Sequence, residues 1–275
     1  MFNRMVRNLA EIRKEFFRLY KPNNIITEIL PNETSIIFPI DQKTILKLHE
    51  FANCNSIYFK KLNIQINNLD YTSYEGDVNE YYLSAKKYDT NYQPFYPTWI
   101  LSAFLLALKS KEFEFKEIID IGAGDGRLPY CGALLQLRSI GIELDTNLTD
   151  LQKAIAKKTK IDFDILNTDA AEFDFSALSL TKPIFFVSGL PEMGEMLLEN
   201  LIEKTKQSNF DSIGIVLLGN TVKRRFMSES TEYGWGKLLE KYNLKVVDEF
   251  DLPTHWTNDT PTLTKYLITQ HPYFD

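Results

Sequence analysis

The residues best suited to chemistry lie in one stretch, residues 115–145, with the sequence FKEIIDIGAGDGRLPYCGALLQLRSIGIELD. An apolar run ends in Asp120, glycines follow at alternate positions, and a second apolar run ends in Glu143. Glycine permits positive φ and lets a ligand lie against bare backbone. In open α/β sheets, ligands bind where such turns leave the carboxyl ends of strands. The stretch therefore predicts a nucleotide-binding turn with an acid before and after it.

The glycine spacing bears on which nucleotide is bound. A dinucleotide fingerprint is G-x-G-x-x-G, whereas this chain has G-x-G-x-G, with Arg127 where the third glycine would stand. Asp120 precedes the turn, and a carboxylate there repels a pyrophosphate but suits a cation. No G-x-x-x-x-G-K-[ST] phosphate loop occurs in the chain. We therefore expect a phosphate-free, positively charged nucleoside, and S-adenosylmethionine fits with its ribose diol, ammonium group and sulfonium.

Further residues at strand ends complete the predicted cofactor site. Glu143 is placed to accept both ribose hydroxyls, as the acid of dinucleotide folds does. Asp169 is placed to accept from the adenine amino group while the amide of Ala170 meets a ring nitrogen. Taken alone, Asp169 is equally well explained as a helix N-cap. The predicted contacts from the strand ends are Asp120, Gly122, Ala123, Gly124, Asp125, Gly126, Glu143, Leu144, Asp169 and Ala170.

Alternating strands and helices position these residues. From residue 98 the pattern predicts helices over 98–110, 128–137, 146–159 and 196–206 and strands over 117–121, 139–144, 162–166, 183–188 and 212–219. Segments 244–252 and 265–271 are typical of a closing antiparallel pair. Near-continuous apolar strands between helices indicate a parallel sheet covered on both faces. The predicted fold class is α/β, a Rossmann-like, mostly parallel sheet of seven strands with a C-terminal antiparallel hairpin.

The first third of the chain is different in character. An apolar stripe predicts a helix over 2–20, and short β-like runs follow at 24–30, 34–40, 43–49 and 56–66. Residues 67–97 then hold half of the 14 tyrosines. They are explained either as an aromatic approach to a site or as a connector that covers core surface. We predict a small α+β extension over 1–93, which could recognise the substrate, and a cofactor-binding domain over 94–275.

Composition narrows the class of protein. With 275 residues, of which 44% are hydrophobic, the chain can bury a large core. The longest apolar stretch, Trp99–Leu108, is shorter than the ~20 residues that a membrane span needs. No signal peptide is visible, and two cysteines with three scattered histidines predict neither disulfides nor a metal site. We expect a soluble, cytoplasmic protein of unassigned oligomeric state.

The charge of the chain disfavours nucleic acid as a partner. Nucleic-acid binders present a basic face, whereas this chain has a net charge of −6 and a pI of about 5.3. The one dense basic run, Lys223-Arg224-Arg225, is explained equally well by a solvated surface loop. The charge therefore favours a protein or a small molecule as the partner.

The sequence resembles the class I S-adenosylmethionine-dependent methyltransferases, whose first motif is D-x-G-x-G. The resemblance covers about residues 94–271 in architecture and is motif-specific over 94–145. Within the class, PFYPT (94–98), DIGAGDGR (120–127) and VSGLPEMGEMLLENL (187–201) resemble segments of compact prokaryotic enzymes related to the non-SET histone lysine methyltransferases.

The resemblance implies further site residues. Thr98 would fold over the methionine end of the cofactor, and Ser188 to Pro191 would line the methyl-transfer mouth, which adds Thr98 and Ser188 to the cofactor contacts. No catalytic residue is assigned, and Tyr96, Ser188 and Glu192 are the candidates. The chain departs from the group at Phe95, which replaces a tyrosine, and at Trp99, which replaces a proline.

Two sequence features narrow the acceptor. The end of the predicted strand over 183–188 reads Ser188-Gly189-Leu190-Pro191 rather than the [DN]-P-P-[YF] used on base amines and glutamine amides, and no Pro-Cys nucleophile follows it. Together with these absences, the resemblance implies an amine-type methyl acceptor, either protein lysine or a small molecule. Two alternatives stay open. The first is a non-catalytic protein of cofactor fold that acts as a binding module. The second is an NAD-dependent oxidoreductase, against which Arg127 and Asp120 both argue.

Overall fold

The computed structural model describes residues 1–20, 26–77, 97–187, 191–205, 210, 212–219, 235–254 and 263–271. Its helices are α1 (Phe2–Tyr20), α2 (Gln42–Cys54), α3 (Ile100–Glu112), α4 (Arg127–Leu134), α5 (Thr146–Thr159), α6 (Pro191–Thr205) and α7 (Trp235–Lys241). Its strands are β1 (Ile26–Pro31), β2 (Tyr58–Ile66), β3 (Leu69–Gly76), β4 (Glu117–Ile121), β5 (Arg138–Glu143), β6 (Asp164–Asn167), β7 (Pro183–Val187), β8 (Ile213–Gly219), β9 (Lys245–Pro253) and β10 (Leu263–His271). A 3-10 turn spans Phe175–Leu178.

Short apolar strands form the central sheet. Every residue of β4 and of β7 is buried, and a strand buried along its whole length requires cover on both faces. The predicted strands from residue 117 onward are confirmed, although β6 begins at Asp164 rather than at residue 162. The predicted helix over 196–206 begins earlier, at Pro191.

The larger sheet has seven strands in the order β6-β5-β4-β7-β8-β10-β9. β4 pairs in parallel with β5 and β7, whereas β10 runs antiparallel between β8 and β9. Successive strands from β4 to β6 extend one side of the sheet, and those from β7 onward extend the other. Ligand sites of doubly wound sheets lie at this reversal, beyond the carboxyl ends of the strands. The predicted Rossmann-like sheet with its C-terminal antiparallel hairpin is confirmed.

Apolar clusters lie on both faces of this sheet. Neighbouring residues of β4 belong to different clusters, Ile118 to the first and Ile119 to the second, because side chains of a strand alternate between faces. The first cluster includes side chains of α3, α4 and α5, and the second includes side chains of α6 and α7. The helices therefore cover the faces of the sheet, and the carboxyl edge positions the site.

The N-terminal region contains an antiparallel sheet of order β1-β3-β2. Two strand predictions in this region were wrong, because residues 34–40 form no strand and residues 43–49 belong to α2. In α2 the buried residues Ile45, Leu48 and Phe51 follow helical spacing. The seven-residue window looked strand-like because it ended before the helical stripe could repeat.

The strand β3 lies at the start of the tyrosine-rich segment 67–97, for which the aromatic approach and the connector were both left open. Tyr71 and Tyr74 are buried in β3, and this strand pairs with both β1 and β2. These two tyrosines cover core surface, as the second interpretation of the segment expected. The other five tyrosines of the segment lie outside the described residues.

The N-terminal region packs directly on the α/β region. The rings of Phe2 in α1 and Phe250 in β9 have centroids 4.9 Å apart, as do those of Phe51 in α2 and Tyr130 in α4. All four side chains belong to the same apolar cluster. The two regions therefore share a core, and a domain boundary at residue 93 stays a prediction. No helix within the described ranges is long and apolar enough to cross a membrane.

Candidate functional site

The turn after β4 has a backbone path that requires glycine. Gly122, Gly124 and Gly126 have φ values of 76°, 56° and 78°, which other L-residues rarely adopt. The amides of Gly122 and Ala123 donate to the carbonyl of Ile142 at 2.9 and 3.1 Å. These bonds hold the turn against the end of β5.

The turn has one open side and one packed side. A Cβ placed on Gly122 would meet no atom within 4 Å among the described residues. A Cβ placed on Gly126 would lie 2.9 Å from Gln152 Cγ and 2.9 Å from Phe163 Cζ. A ligand that lies against this backbone therefore approaches from the side of Gly122.

Gln152 of α5 supports the packed side. Its side chain is fully buried, and its Nε2 donates to the carbonyl of Gly124 at 2.8 Å. Sequence analysis missed this residue, although a glutamine within the apolar stripe of Leu148, Leu151 and Ile155 is a usable signal. The bond fixes the carbonyl of Gly124 and so helps to set the path of the turn.

Glu143 ends β5 and binds the turn. Its Oε2 accepts from the amide of Gly124 at 2.8 Å, and its Oε1 accepts from the amide of Asp145 at 2.9 Å. A carboxylate has about four lone-pair sites, so these two bonds leave it able to accept from a ligand. Burial raises the pKa of Glu143, although the backbone amides favour its ionised form. A diol that donates to this carboxylate would stabilise the ionised form further.

Asp120 brings a second acid to the same edge. It is 4% exposed at the end of β4, where its neighbour Ile121 pairs with both β5 and β7. Burial raises the pKa of Tyr266 in β10, and the negative charge of Asp120 contributes to the rise. The hydroxyl of Tyr266 donates to Thr98 Oγ1 at 3.1 Å. Tyr266 pairs with Leu218 near the carboxyl end of β8, so Asp120, Tyr266 and Thr98 lie at the same edge of the sheet, and Tyr266 is a second residue that the sequence did not reveal.

The loop after β6 lies beside the loop after β5. Asn167 Nδ2 donates to the carbonyls of Glu143 and Leu144 at 3.0 and 2.9 Å. Asp169 Oδ1 accepts from the backbone amide two residues later at 2.8 Å, so it caps a turn rather than a helix. Ala170 packs against the second apolar cluster. The two residues predicted to contact adenine therefore follow a strand that ends next to Glu143.

The carboxylate of Asp125 lies inside the protein rather than on the open side of the turn. It is 1% exposed, and it accepts from Arg127 Nε at 2.9 Å, Arg127 Nη2 at 2.5 Å and Asn55 Nδ2 at 2.8 Å. Its oxygens are thus engaged by protein donors. The predicted cofactor contact of Asp125 is accordingly limited to its backbone.

Arg127 joins the turn to the N-terminal sheet. Its Nη1 donates to Glu28 Oε1 at 2.7 Å and to the carbonyl of Thr98, and its Nη2 donates to the Tyr58 hydroxyl at 3.2 Å. Burial would lower the pKa of Arg127, but Asp125, Tyr58 and Glu28 raise it well above its ordinary value. The guanidinium is therefore charged, and its charge is balanced inside the protein.

Most of the predicted cofactor residues lie at one edge of the sheet, at strand ends or in the turns that follow them: Asp120, Gly122, Ala123, Gly124, Gly126, Glu143, Leu144, Asp169 and Ala170. Thr98 reaches the same edge through Tyr266. Tyr96 and Ser188 lie outside the described residues, as does the side chain of Glu192 in α6. Sequence analysis also missed Glu28, for which an acid within an apolar strand is a usable signal.

No protein-family model matches the sequence, and no curated protein matches it. Among solved structures, P. horikoshii TYW2 in complex with MeSAdo is 14% identical, with a TM-score of 0.48 over 76% of this chain and 70% of that chain.

Two further solved structures each align with this chain with a TM-score of 0.46. Magnesium protoporphyrin IX methyltransferase (ChlM) from Synechocystis PCC 6803 with bound SAM is 13% identical over 84% of this chain and 98% of that chain. A suggested RNA methyltransferase from Pyrococcus horikoshii is 18% identical over 71% of this chain and 98% of that chain. The fold assignment rests on the strand order and connectivity described above.

Within the described part of the chain, no group of three or more His, Cys, Asp or Glu side chains is placed to hold a metal ion. The chemistry available at the edge of the sheet is instead that of two carboxylates beside a glycine turn. One carboxylate suits a cation, and the other suits a diol.

Proposed function

We propose that this chain is an S-adenosylmethionine-dependent methyltransferase that acts on an amine-type acceptor. The observation that carries the proposal is the open side of the turn at Gly122, which follows Asp120 of β4 and belongs to the turn that Glu143 holds through Gly124, at the reversal of strand order. The strand order and the turn together suit a nucleoside cofactor.

The residues of the site fit this cofactor. The ribose diol would donate to Glu143, and the positive charge of the methionine end would lie near Asp120. The adenine would lie by Asp169 and Ala170, and Thr98 would close the methionine end, as the family resemblance implies. A pyrophosphate would meet the negative charge of Asp120, which disfavours NAD.

The chemical demand on the chain is small. When bound, S-adenosylmethionine supplies a methyl group that the sulfonium charge already activates, so the chain needs no nucleophile of its own. Its residues must hold the acceptor lone pair in line with the methyl carbon and exclude water. For an amine acceptor the site must also favour the neutral amine. Tyr96, Ser188 and Glu192 stay the candidates for assisting this step.

The proposed acceptor is protein lysine or a small amine. The segment from Ser188 to Pro191 lacks the motif used on base amines and glutamine amides. The resemblance to the group related to the non-SET histone lysine methyltransferases also supports an amine, and the net charge of −6 disfavours nucleic acid. We further propose that residues 1–93 contribute to substrate recognition and that the protein acts in the cytoplasm.

Transfer of label from a methyl-labelled cofactor tests the proposal. The full chain is incubated with labelled S-adenosylmethionine and cell extract, and the extract is then separated into protein, RNA and small molecules. We expect label in protein lysine or in small amines. Label in RNA would contradict the proposed acceptor. Tight cofactor binding without transfer to any fraction would favour the non-catalytic hypothesis.

A further inference from the structure

We propose that Glu28 of the N-terminal sheet is a positioning residue that holds the glycine turn in its donor-binding conformation. The inference rests on the proposed methyl-donor site and deepens it, because it assigns the N-terminal sheet a role in donor binding. Glu28 lies in β1, far from the turn in sequence, yet its side chain has 0% exposure and pairs with Arg127 Nη1 at 2.7 Å.

Glu28 acts on the turn through Arg127. The guanidinium of Arg127 also holds both carboxylate oxygens of Asp125, at 2.9 and 2.5 Å. Asp125 lies between Gly124 and Gly126. The chain of contacts from β1 therefore ends inside the turn itself.

Glu28 also acts on the segment that begins α3. Its Oε2 accepts from the amide of Ile100 at 2.8 Å, whereas the N-cap residue Trp99 makes no side-chain capping bond. The first amides of a helix need an acceptor, and here a distant strand provides one. Because Arg127 also donates to the carbonyl of Thr98, Glu28 helps to hold Thr98 and the turn in one arrangement.

Tyr58 and Asn55 add further hydrogen bonds to this buried network. The Tyr58 hydroxyl donates to Glu28 Oε1 at 2.9 Å and accepts from Arg127 Nη2 at 3.2 Å. Asn55 Nδ2 donates to Asp125 Oδ2 at 2.8 Å. Glu28 accepts on both oxygens, from Arg127 Nη1 on Oε1 and from the amide of Ile100 on Oε2, whereas a glutamine side chain has one acceptor oxygen only. The substitution of Glu28 by glutamine should therefore loosen its hold on Arg127 or on Ile100 and, with it, the turn.

The test is the substitution Glu28→Gln, with Glu75→Gln as the matched control. Glu75 lies in the same sheet, on β3 opposite Thr27, and pairs with the exposed Lys60 at 2.8 Å. Calorimetry measures the affinity of each variant for S-adenosylmethionine. We expect Glu28→Gln to bind about tenfold more weakly than the wild type, which is a typical coupling between sites. Glu75→Gln should bind as the wild type does. Equal affinities of wild type and Glu28→Gln would overturn the inference.

Hydrogen exchange separates a positioning role from general destabilisation. Without ligand, Glu28→Gln should speed exchange in residues 122–127 but not in β7. Coupling is reciprocal, so saturation of the wild type with S-adenosylmethionine should slow exchange in β1. Unchanged exchange in both experiments would overturn the inference.

Failure of the proposed function can be distinguished from failure of the inference about Glu28. If the wild type binds no S-adenosylmethionine, the proposed function is contradicted. The rate of hydrogen exchange in residues 122–127 of the ligand-free protein then still tests whether Glu28 holds the turn. If Glu28→Gln does not fold, Tyr58→Phe replaces it, because it removes the hydroxyl between Glu28 and Arg127 and keeps the ring. Tyr58→Phe should then weaken the binding of S-adenosylmethionine, by less than tenfold. An affinity equal to that of the wild type would overturn the inference.

Discussion

At the residue scale, two glycines of the turn can be distinguished by what lies beside them. Gly122 and Gly126 have nearly the same positive φ, 76° and 78°, so alanine adds similar backbone strain at both, of order 1–3 kcal/mol. Only at Gly126 would the new Cβ meet Gln152 and Phe163 at 2.9 Å. We expect Gly126→Ala to lower the melting temperature more than Gly122→Ala does.

For ligand binding we expect the opposite order of the two glycine substitutions. At Gly122 the new methyl group would occupy the space that we assign to the cofactor, so Gly122→Ala should lose more affinity for S-adenosylmethionine than Gly126→Ala loses. Calorimetry and thermal unfolding on both variants give the comparison. A Gly122→Ala variant that binds as the wild type does would contradict the placement of the ligand.

The protonation of Glu143 should make the affinity for S-adenosylmethionine depend on pH. Burial raises the pKa of this carboxyl, and its ionised form accepts the ribose hydroxyls. Donor affinity should therefore be complete above the raised pKa and fall as the pH is lowered through it. Glu143→Gln should weaken binding roughly 10- to 100-fold, since hydrogen bonds to a charged group contribute about 1.5–3 kcal/mol.

Calorimetric titrations across the acidic range check this prediction. The wild type should lose affinity on acidification, whereas the Glu143→Gln variant should show a flatter profile. A wild-type affinity that does not change with pH, or that rises on acidification, would contradict the role of Glu143.

The residues of the turn were predictable from sequence because their signals are local. Asp120, the glycines and Glu143 each follow from position within one strand and one turn. The partners of Arg127 were not predictable in this way, because Glu28 and Tyr58 reach it from distant parts of the chain. A buried network of this kind leaves only a weak trace, such as one acid inside an apolar strand.

At the element scale, α1 carries a buried charge whose removal should be tolerated or favourable. Arg13 is 1% exposed and donates to the carbonyl of Thr254 at 3.1 Å, while its Nε and Nη1 make no hydrogen bond within the described part of the chain. Its guanidinium lies over the rings of Phe17 and Trp99. Burial lowers the pKa of Arg13 to about 10, so it is still charged at neutral pH.

We expect Arg13→Met to leave stability unchanged or raise it, because apolar replacement of a buried charge is often neutral or stabilising by about 1–4 kcal/mol. The loss of the ring contacts offsets part of this gain. Arg18→Met on the same helix is the control, since Arg18 is exposed and pairs with Glu15 at 2.7 Å. Urea unfolding gives the comparison, and a marked loss of stability in Arg13→Met alone would contradict the prediction.

Elements were predictable where their pattern was long or repeated. The alternation from β4 to β10 gave the fold because each strand and helix is complete within its own segment. α2 was predicted wrongly because its apolar stripe shows helical spacing only across Ile45, Leu48 and Phe51 together with the N-cap Asp41. β3 was missed because both of its faces are buried and each includes a polar residue, Thr72 on one face and Ser73 on the other, in a segment dominated by tyrosine.

At the scale of the whole molecule, the N-terminal region and the α/β region share one apolar cluster and one buried network around Arg127. Composition divides the sequence into an N-terminal region and an α/β region. Contacts between distant segments, which composition does not reveal, decide how closely these two regions cooperate. The shared network is the physical reason to expect that changes in the N-terminal sheet affect the turn that follows β4.

On the same scale, we propose that the carboxyl edge of the seven-stranded sheet binds a phosphate-free, cationic nucleoside. The most direct test is a calorimetric titration of the full chain with S-adenosylmethionine and, separately, with NADH. Asp120→Asn tests the acid before the turn, and Asp164→Asn is its control, because Asp164 is exposed at the start of β6.

We predict that S-adenosylmethionine binds and that NADH does not. Asp120→Asn should weaken S-adenosylmethionine binding, and Asp164→Asn should leave it unchanged. Tighter binding of NADH, or no binding of S-adenosylmethionine by the wild type, would contradict the account.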